Sequence, residues 1–299
     1  MLHRLGIYHL FLVLLFPIGL SAESAVPLTQ SKITEIVKDV SILRGEELKA
    51  VPAVENQIFK APDFLQTGRR SRARMEAEDG TITRVGSNTL FSFDQQERSI
   101  NLKQGSVLFH SPEGRGGGRV VTASATASVL GTTIAVVATP DGGFKLLVIE
   151  GTAQVNYPDG TSRLLNAGQM TFVLPSQDPA GSLPGAPAGA GNKRPGRKGP
   201  VLNFDLERMT KEAALLNGFS SPIPSEGKIE QATNAQRRRL GDGFLRRTKA
   251  RIIRAKEDET IVLDITEDQK LRETVSDTQL NPGLEKLKAA IQTDVTSTS

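Results

Sequence analysis

Two glutamates are the first side chains in this sequence whose spacing is compatible with catalysis. Glu76 and Glu78 lie in an extended run, which would place both carboxyl groups about 7 Å apart on one strand face. A pair of this kind can hydrolyse glycosides if an apolar pocket keeps one carboxyl protonated. Arg72 and Arg74 fall on the same face and would keep both ionised. We therefore predict a solvated ion-pair face, and a carboxylate-based hydrolase is the enzymatic alternative.

Histidine and cysteine restrict the remaining chemistry. Of three histidines, His3 and His9 lie in the first 22 residues, so only His110 follows them, and cysteine and tryptophan are absent. Zinc sites and general acid–base catalysis mostly use histidine, and thiolate chemistry needs cysteine. No serine stands in a Gly-x-Ser-x-Gly elbow. We predict a non-enzymatic protein without a metal or cofactor, with His110 as a surface residue at a strand end.

The glycine-rich run 114–119 could suggest a phosphate-binding loop. Such a loop needs Gly-Lys-Ser/Thr before a helix, whereas Val120 here opens a β-favouring segment. We interpret the run as a hairpin loop.

A basic segment dominates the C-terminal third. It holds nine cations in 237–256, opposed there only by Asp242: Arg237, Arg238, Arg239, Arg246, Arg247, Lys249, Arg251, Arg254 and Lys256. Gly241 and Gly243 should interrupt any single helix. One interpretation is a solvated helical face. The other is a site for an anionic partner (acidic lipid headgroups, lipopolysaccharide or an acidic protein), with about 1 kcal/mol per cation near a membrane surface.

The N-terminus has the features of a secretory signal peptide. Arg4 precedes an apolar run at 10–20, and the small residues Ser21 and Ala22 follow it. The run is about half of the roughly 20 residues that a membrane span requires. We predict cleavage near Ala22 and a location in the periplasm or on the outer surface, where nucleic acid is an unsuitable partner.

The rest of the chain divides into three predicted parts. Residues 31–174 contain short β-favouring runs, among them 33–43, 98–103 and 105–110, separated by turns such as Asp79-Gly80, Asp141-Gly142 and Asp159-Gly160. The runs 132–138 and 143–149 are apolar on both faces. We predict an all-β domain there, either a β-sandwich or a short irregular β-solenoid. Residues 175–200 are rich in Pro and Gly and predict a disordered linker. Residues 201–299 predict a charged, partly helical region.

One amphipathic helix is predicted at 203–216. Leu206, Met209, Ala213 and Leu216 form its apolar stripe. Such a short helix is marginal alone, so it should fold either onto the β domain or onto a partner.

Residues 36–174 resemble the FecR domain, an extracytoplasmic module. The similarity is carried by ordered motifs that include Phe64-Leu65-Gln66-Thr67-Gly68, Glu78-Asp79-Gly80-Thr81, Gly86-Ser87-Asn88-Thr89, Gly131-Thr132-Thr133-Ile134-Ala135-Val136, Val148-Ile149-Glu150-Gly151-Thr152 and Ala167-Gly168-Gln169. Within them, the resemblance implies structural roles for Gly68, Asp79, Gly80, Gly86, Asn88, Gly131, Thr132, Gly151 and Gly168. Ile134 stands where the family usually has an aromatic residue.

The resemblance implies an all-β module that binds or transmits rather than catalyses. FecR regulators place an anti-sigma region before a membrane helix, whereas this sequence opens with a predicted export signal, so direct sigma-factor inhibition is not expected. We expect a binding or scaffold module of the bacterial envelope that contacts a protein or glycan. The alternative is a component of envelope signal transduction related to FecR-type sigma regulation.

Overall fold

The computed structural model describes residues 27–45, 48–175 and 196–257, with side chains up to Gly241. The predicted signal peptide and residues 176–195 of the predicted linker lie outside these ranges. The described end of that linker, 196–200, contains a two-residue strand, Arg197–Lys198. The described chain forms two β-sheets and three C-terminal helices. The predicted all-β class with a partly helical C-terminal region is confirmed.

The first sheet, here called the inner sheet, is antiparallel. Its strands are β1 (Gln30–Val37), β4 (Ile58–Lys60), β6 (Arg72–Glu76), β7 (Ile82–Val85), the second half of β9, β12 (Thr133–Ala138), β13 (Phe144–Glu150), β16 (Gln169–Leu174), β17 (Arg197–Lys198) and β18 (Leu202–Asn203). They are hydrogen-bonded in the order β4-β1-β6-β7-β9-β12-β13-β16, and both β17 and β18 pair with β16.

The second sheet, the outer sheet, is antiparallel except where β9 and β10 run parallel. It contains β2 (Val40–Arg44), β3 (Lys49–Pro52), β5 (Phe64–Thr67), β8 (Leu90–Phe93), β9 (Ser99–His110), β10 (Gly118–Val121), β11 (Thr126–Val129), β14 (Thr152–Asn156) and β15 (Ser162–Asn166). Its order is β3-β2-β5-β8-β9-β10-β11-β14-β15.

Strand β9 belongs to both sheets and joins them. Its first half pairs in the outer sheet and its second half in the inner sheet. The change occurs at Gly105, where φ is +92° and an added Cβ would lie 2.2 Å from Thr89 Oγ1. Only glycine fits this conformation and this spacing. The sequence predicted separate strands at 98–103 and 105–110, which is wrong because Gly105 bends one strand instead of ending it.

The predicted strand 33–43 is corrected in the opposite direction. The structure divides it into β1 and β2 at a turn in which Lys38 has φ of +60°. The short strands β3, β4, β5 and β11 were not predicted. They are only three or four residues long, too short for alternation to distinguish them from loops.

One hydrophobic cluster fills the space between the sheets. Residues of both sheets contribute, including the mutually packed rings of Phe59, Phe91 and Phe93. Two layers around a shared core correspond to the sandwich alternative.

The other face of the inner sheet carries a second cluster. Leu108, Ala135, Val137, Leu147 and Ile149 lie there, under side chains from the C-terminal helices. Strands β12 and β13 are therefore buried on both faces, which confirms the prediction for 132–138 and 143–149.

The C-terminal helices form a third layer, here called the helical cap (residues 204–236). It contains α1 (Leu206–Glu212), α2 (Ala214–Asn217) and the first part of α3 (Glu226–Glu257). The single helix predicted at 203–216 is in fact two, because Ala213 is extended with ψ of 120°. Helix α3 is kinked at Gly241, where φ is +65° and ψ is 157°, which agrees with the predicted interruption. Among the described residues, no helix is long and apolar enough to cross a membrane.

Candidate functional site

A buried polar cluster lies where the start of α3 meets the inner sheet. It consists of His110 on β9, Thr133 on β12, Glu150 on β13 and Ser225 just before α3, each at most 6% exposed. The hydroxyl of Thr133 joins the other three: it lies 2.9 Å from His110 Nδ1, 3.2 Å from Glu150 Oε2 and 2.8 Å from Ser225 Oγ. We call these four residues the polar cluster.

The predicted surface position of His110 is therefore wrong. Its strand continues through both sheets, and the helical cap covers the face on which its side chain lies. On this strand Val107 and Phe109 belong to the inter-sheet core, while Leu108, on the same face as His110, packs under the cap. The sequence did not show that a distant helix covers it.

Burial and one nearby cation set the protonation of the cluster. Burial, and secondarily the ammonium group of Lys228, lowers the pKa of His110 to about 4. Burial also raises the pKa of Glu150, against the opposing effects of Thr133 and Lys228. Lys228 itself forms a 2.7 Å ion pair with Glu113 at the exposed rim, and this contact lowers the pKa of Glu113. At neutral pH, His110 is therefore uncharged.

Arg84 fixes the turn after α2 to the inner sheet. Its side chain is fully buried, and Nη1 donates hydrogen bonds to the carbonyls of Leu215 (3.1 Å) and Leu216 (2.8 Å). Nη2 donates to the carbonyl of Ser221, and the guanidinium lies 4.8 Å from the Phe219 ring centroid. Burial, followed by the neighbouring Arg74, lowers the pKa of Arg84 to about 10. The guanidinium therefore stays protonated at neutral pH and holds the turn by charge-assisted bonds.

The face of β6 that carries Arg72, Arg74 and Glu76 differs from its prediction. Arg74 is only 7% exposed, although it does form the expected ion pair with Glu76 at 3.0 Å. Arg72 lies against Gly218, whose added Cβ would be 2.8 Å from Arg72 Nε. The predicted solvated face is therefore partly buried, because the turn after α2 packs onto it.

Gln236 fixes α3 to both α1 and the β domain. It is 3% exposed, and Nε2 donates hydrogen bonds to the carbonyls of Phe204 (2.8 Å) and Gly168 (3.2 Å). Its Oε1 accepts a 3.1 Å hydrogen bond from the backbone N–H of Leu206, a donor at the start of α1 that has no partner within the helix. Gln236 was not predicted from the sequence. A glutamine on a charged helix is recognised as buried only when it is known which face of the helix packs against the rest of the protein.

Asp79 and Gly80 form a turn that is tied to a neighbouring loop. Asp79 accepts hydrogen bonds from the Thr81 N–H at 2.9 Å and from Arg98 at 2.6 Å, and Arg98 also donates to the carbonyl of Gly117. Burial opposes ionisation, but these contacts lower the pKa of Asp79 overall. Gly80 has φ of +82°.

The other residues in motifs similar to FecR also lie at turns and close contacts. Positive φ values occur at Asn88 (52°), Gly131 (69°), Gly151 (81°) and Gly168 (78°). Thr132 is fully buried and donates a 2.9 Å hydrogen bond to the carbonyl of Thr152. The carbonyl of Gly86 accepts from the Thr67 hydroxyl, and an added Cβ on Gly68 would lie 3.2 Å from Asp39. Their structural role stays a prediction that substitution can test.

The structure describes the basic residues only in part. Arg237, Arg238 and Arg239 are exposed on α3, where Arg237 forms an ion pair with Glu207 and Arg239 lies 3.4 Å from the Asn203 side chain. The other six lie beyond Gly241, where the side chains are outside the described part. In the described ranges, no three potential metal ligands of the His, Cys, Asp and Glu types come together.

Comparisons with known proteins give one family. No curated protein matches the chain significantly. Two crystal structures of a "putative anti-sigma factor" from Parabacteroides distasonis ATCC 8503 align with it at 18% identity. One covers 49% of this chain and 62% of the other with a TM-score of 0.38, and the second covers 52% and 64% with a TM-score of 0.39. The chain thus spans less than two thirds of these solved proteins, and scores this low carry no functional argument. The FecR protein family model matches residues 63–154, which confirms the resemblance that the motifs predicted.

Proposed function

We propose that this chain is an exported, non-catalytic binding module of the bacterial cell envelope. The FecR domain is its platform, and the C-terminal region presents the basic segment to an envelope partner. The observation that carries the proposal is the attachment of the helical cap by Arg84 and Gln236. Because the cap is fixed to the inner sheet, the basic segment continues directly from the docked first part of α3 instead of following a free linker.

The partner proposed for the basic segment is anionic. Within 237–256 the nine cations face only one acidic residue, Asp242. An acidic envelope protein or an anionic membrane surface matches this charge, whereas a neutral glycan would have to bind the β domain. Nucleic acid also matches the charge, but we place the chain in the periplasm or on the outer surface, after signal peptide cleavage near Ala22.

Lack of catalysis is supported by the position of the acidic side chains. Glu150 is the one buried carboxylate in the part of the chain that the structure describes, and its hydrogen-bond partner is Thr133. Glu76, which the sequence offered as half of a catalytic pair, is exposed and bound to Arg74. Neither arrangement places two carboxyl groups around a substrate-sized apolar space.

Envelope signal transduction is the second candidate function, favoured by the FecR match at 63–154. In that case the partner is a membrane-bound regulator. A binding module and a signalling component differ in whether loss of the chain changes the transcription of a regulated gene, which a reporter assay would measure.

The structure determines how the binding proposal should be tested. Residues 23–299 and a shortened chain that ends at Leu240 are compared in pull-downs from an envelope fraction. Ending at Leu240 keeps the whole cap and removes the cations beyond Gly241. An earlier end at Ser176 would uncover the apolar face of the inner sheet and cause non-specific retention.

Charge-removing variants complete the test. In one, Arg246, Arg247, Arg251 and Arg254 are changed to Gln, and the matched control carries the same change at four exposed cations of the β domain, Lys49, Lys60, Arg70 and Arg115. We expect the partner to be lost from the shortened chain and from the first variant, and kept by the control. Retention by all three would overturn the role of the cations beyond Gly241.

A further inference from the structure

The start of α3 rests on the polar cluster, so the helical cap is coupled to a titratable group. Ser225 immediately precedes α3, and its hydroxyl contacts Thr133, which also contacts His110 and Glu150. The N-terminus of a helix carries a partial positive charge from its unpaired backbone N–H groups. In the first turn of α3, Lys228 adds a positive charge and the exposed Glu226 a negative one. Of the two, Lys228 acts on His110 and disfavours its protonation.

The groups that the structure places around His110 provide no ionised carboxylate that would compensate the positive charge of a protonated imidazole. From β12 it meets a neutral hydroxyl, Thr133, which in turn contacts Ser225 just before α3. From α3, the ammonium group of Lys228 acts on it electrostatically. Glu150 on β13 is the nearby carboxylate, and its raised pKa means that it takes up a proton before His110 does. Glu113, the remaining acidic neighbour, is bound to Lys228 at the rim.

We propose that the polar cluster makes the helical cap a pH-operated latch, closed at neutral pH and loosened by acid. Loosening would expose the apolar face of the inner sheet, including Leu108, Val137 and Leu147. It would also release the start of the segment that carries the cations.

The direction of the pH effect follows from linkage. Burial lowers the pKa of His110 from 6.5 to about 4. The part of this burial that the cap supplies stabilises the closed cap fully above pH 6.5, and that contribution is lost as the pH falls toward 4. The contribution of Glu150 has the opposite sign, because its raised pKa favours the closed cap in acid and offsets part of the loss. If opening removed the whole shift of His110, the opening equilibrium would be about 20-fold larger at pH 5 than at pH 7, which is the upper limit of the effect.

Hydrogen exchange of the full chain tests this latch. Amide exchange in 226–236 is measured at pH 7 and pH 5 and corrected for the intrinsic pH dependence of exchange. We expect opening to increase at pH 5, by less than the upper limit of about 20-fold because Glu150 offsets part of the effect, while β12 and β13 keep their protection. Simultaneous loss of protection in those strands would mean global unfolding and would overturn the latch.

Two variants assign the effect to His110. His110→Asn places a neutral amide near the position of Nδ1 and should remove the acid-induced opening, leaving only the opposite effect of Glu150. Lys228→Gln removes the neighbouring cation, so it should raise the pKa of His110 and reduce the response to acid. No other histidine lies beyond the first 22 residues, so the ring resonances of His110 can be titrated directly in the cleaved chain. An unchanged pH response in His110→Asn, or a pKa of His110 near 6.5, would refute the proposal.

Discussion

Replacing Gln236 by alanine should detach the helical cap from the β domain without unfolding the sheets. The side chain forms three buried hydrogen bonds, all with backbone groups: the carbonyls of Phe204 and Gly168 and the N–H of Leu206. Each such bond contributes about 1 kcal/mol, and an unsatisfied buried group costs at least as much. The higher helix propensity of alanine returns about 0.4 kcal/mol. We expect Gln236→Ala to lower the free energy of cap docking by about 3 kcal/mol.

Gln231→Ala is the matched control, because Gln231 is exposed on the same helix. Both variants make the same change in helix propensity, so their difference isolates the buried contacts. Urea unfolding should show the loss of about 3 kcal/mol in Gln236→Ala. Amide exchange should show an opening equilibrium of the cap that is about 100-fold larger, while exchange in β12 and β13 stays slow. If the two variants differ by less than about 0.5 kcal/mol, Gln236 does not hold the cap and the reasoning fails.

Two further substitutions test the junctions between layers. Arg84→Met keeps the side-chain volume but removes the bonds to the turn and the contact with Phe219, so we expect cap docking to weaken by about 2 to 4 kcal/mol in urea unfolding; an unchanged midpoint would contradict this. Gly105→Ala places a Cβ 2.2 Å from Thr89 Oγ1 at a φ of +92°, and we expect a loss of at least about 3 kcal/mol. Gly45→Ala, where φ is +69° and no atom lies within 4 Å, should lose only about 1 kcal/mol; equal losses would show that the close contact does not matter.

Local signals in the sequence predicted the turns and the central strands. The Asp-Gly pairs ending at Gly80, Gly142 and Gly160 are turns in the structure, with φ of +82°, +90° and +81°. Each signal depends on the conformational preference of one or two residues, so no distant part of the chain can override it easily. The runs that form β12 and β13 were also predicted correctly. Both faces of these runs are apolar, which indicates that both faces of the strand are buried.

Contacts between distant segments explain what the sequence did not predict. Arg84 bonds to carbonyls more than 130 positions later, and Gln236 bonds to a turn 68 positions earlier. The residue type and local sequence of Arg84 or Gln236 do not indicate which distant backbone group it will bond to. His110 was misplaced for the same reason, since only the docked cap covers it.

One combination of sequence features does imply the docked cap. The runs 132–138 and 143–149 are apolar on both faces, so the face of the inner sheet that points away from the other sheet needs a cover of its own. The amphipathic stripe of Leu206, Met209 and Ala213 supplies an apolar surface that is marginal alone. Each surface would cost about 25 cal/mol per Å² if left in water, so their association is favourable. A chain ending at Ser176 would expose the sheet face, and we expect it to aggregate where the chain ending at Leu240 stays monodisperse in light scattering. Equal dispersity of the two would show that the sheet face tolerates water and that the cap is dispensable for the fold.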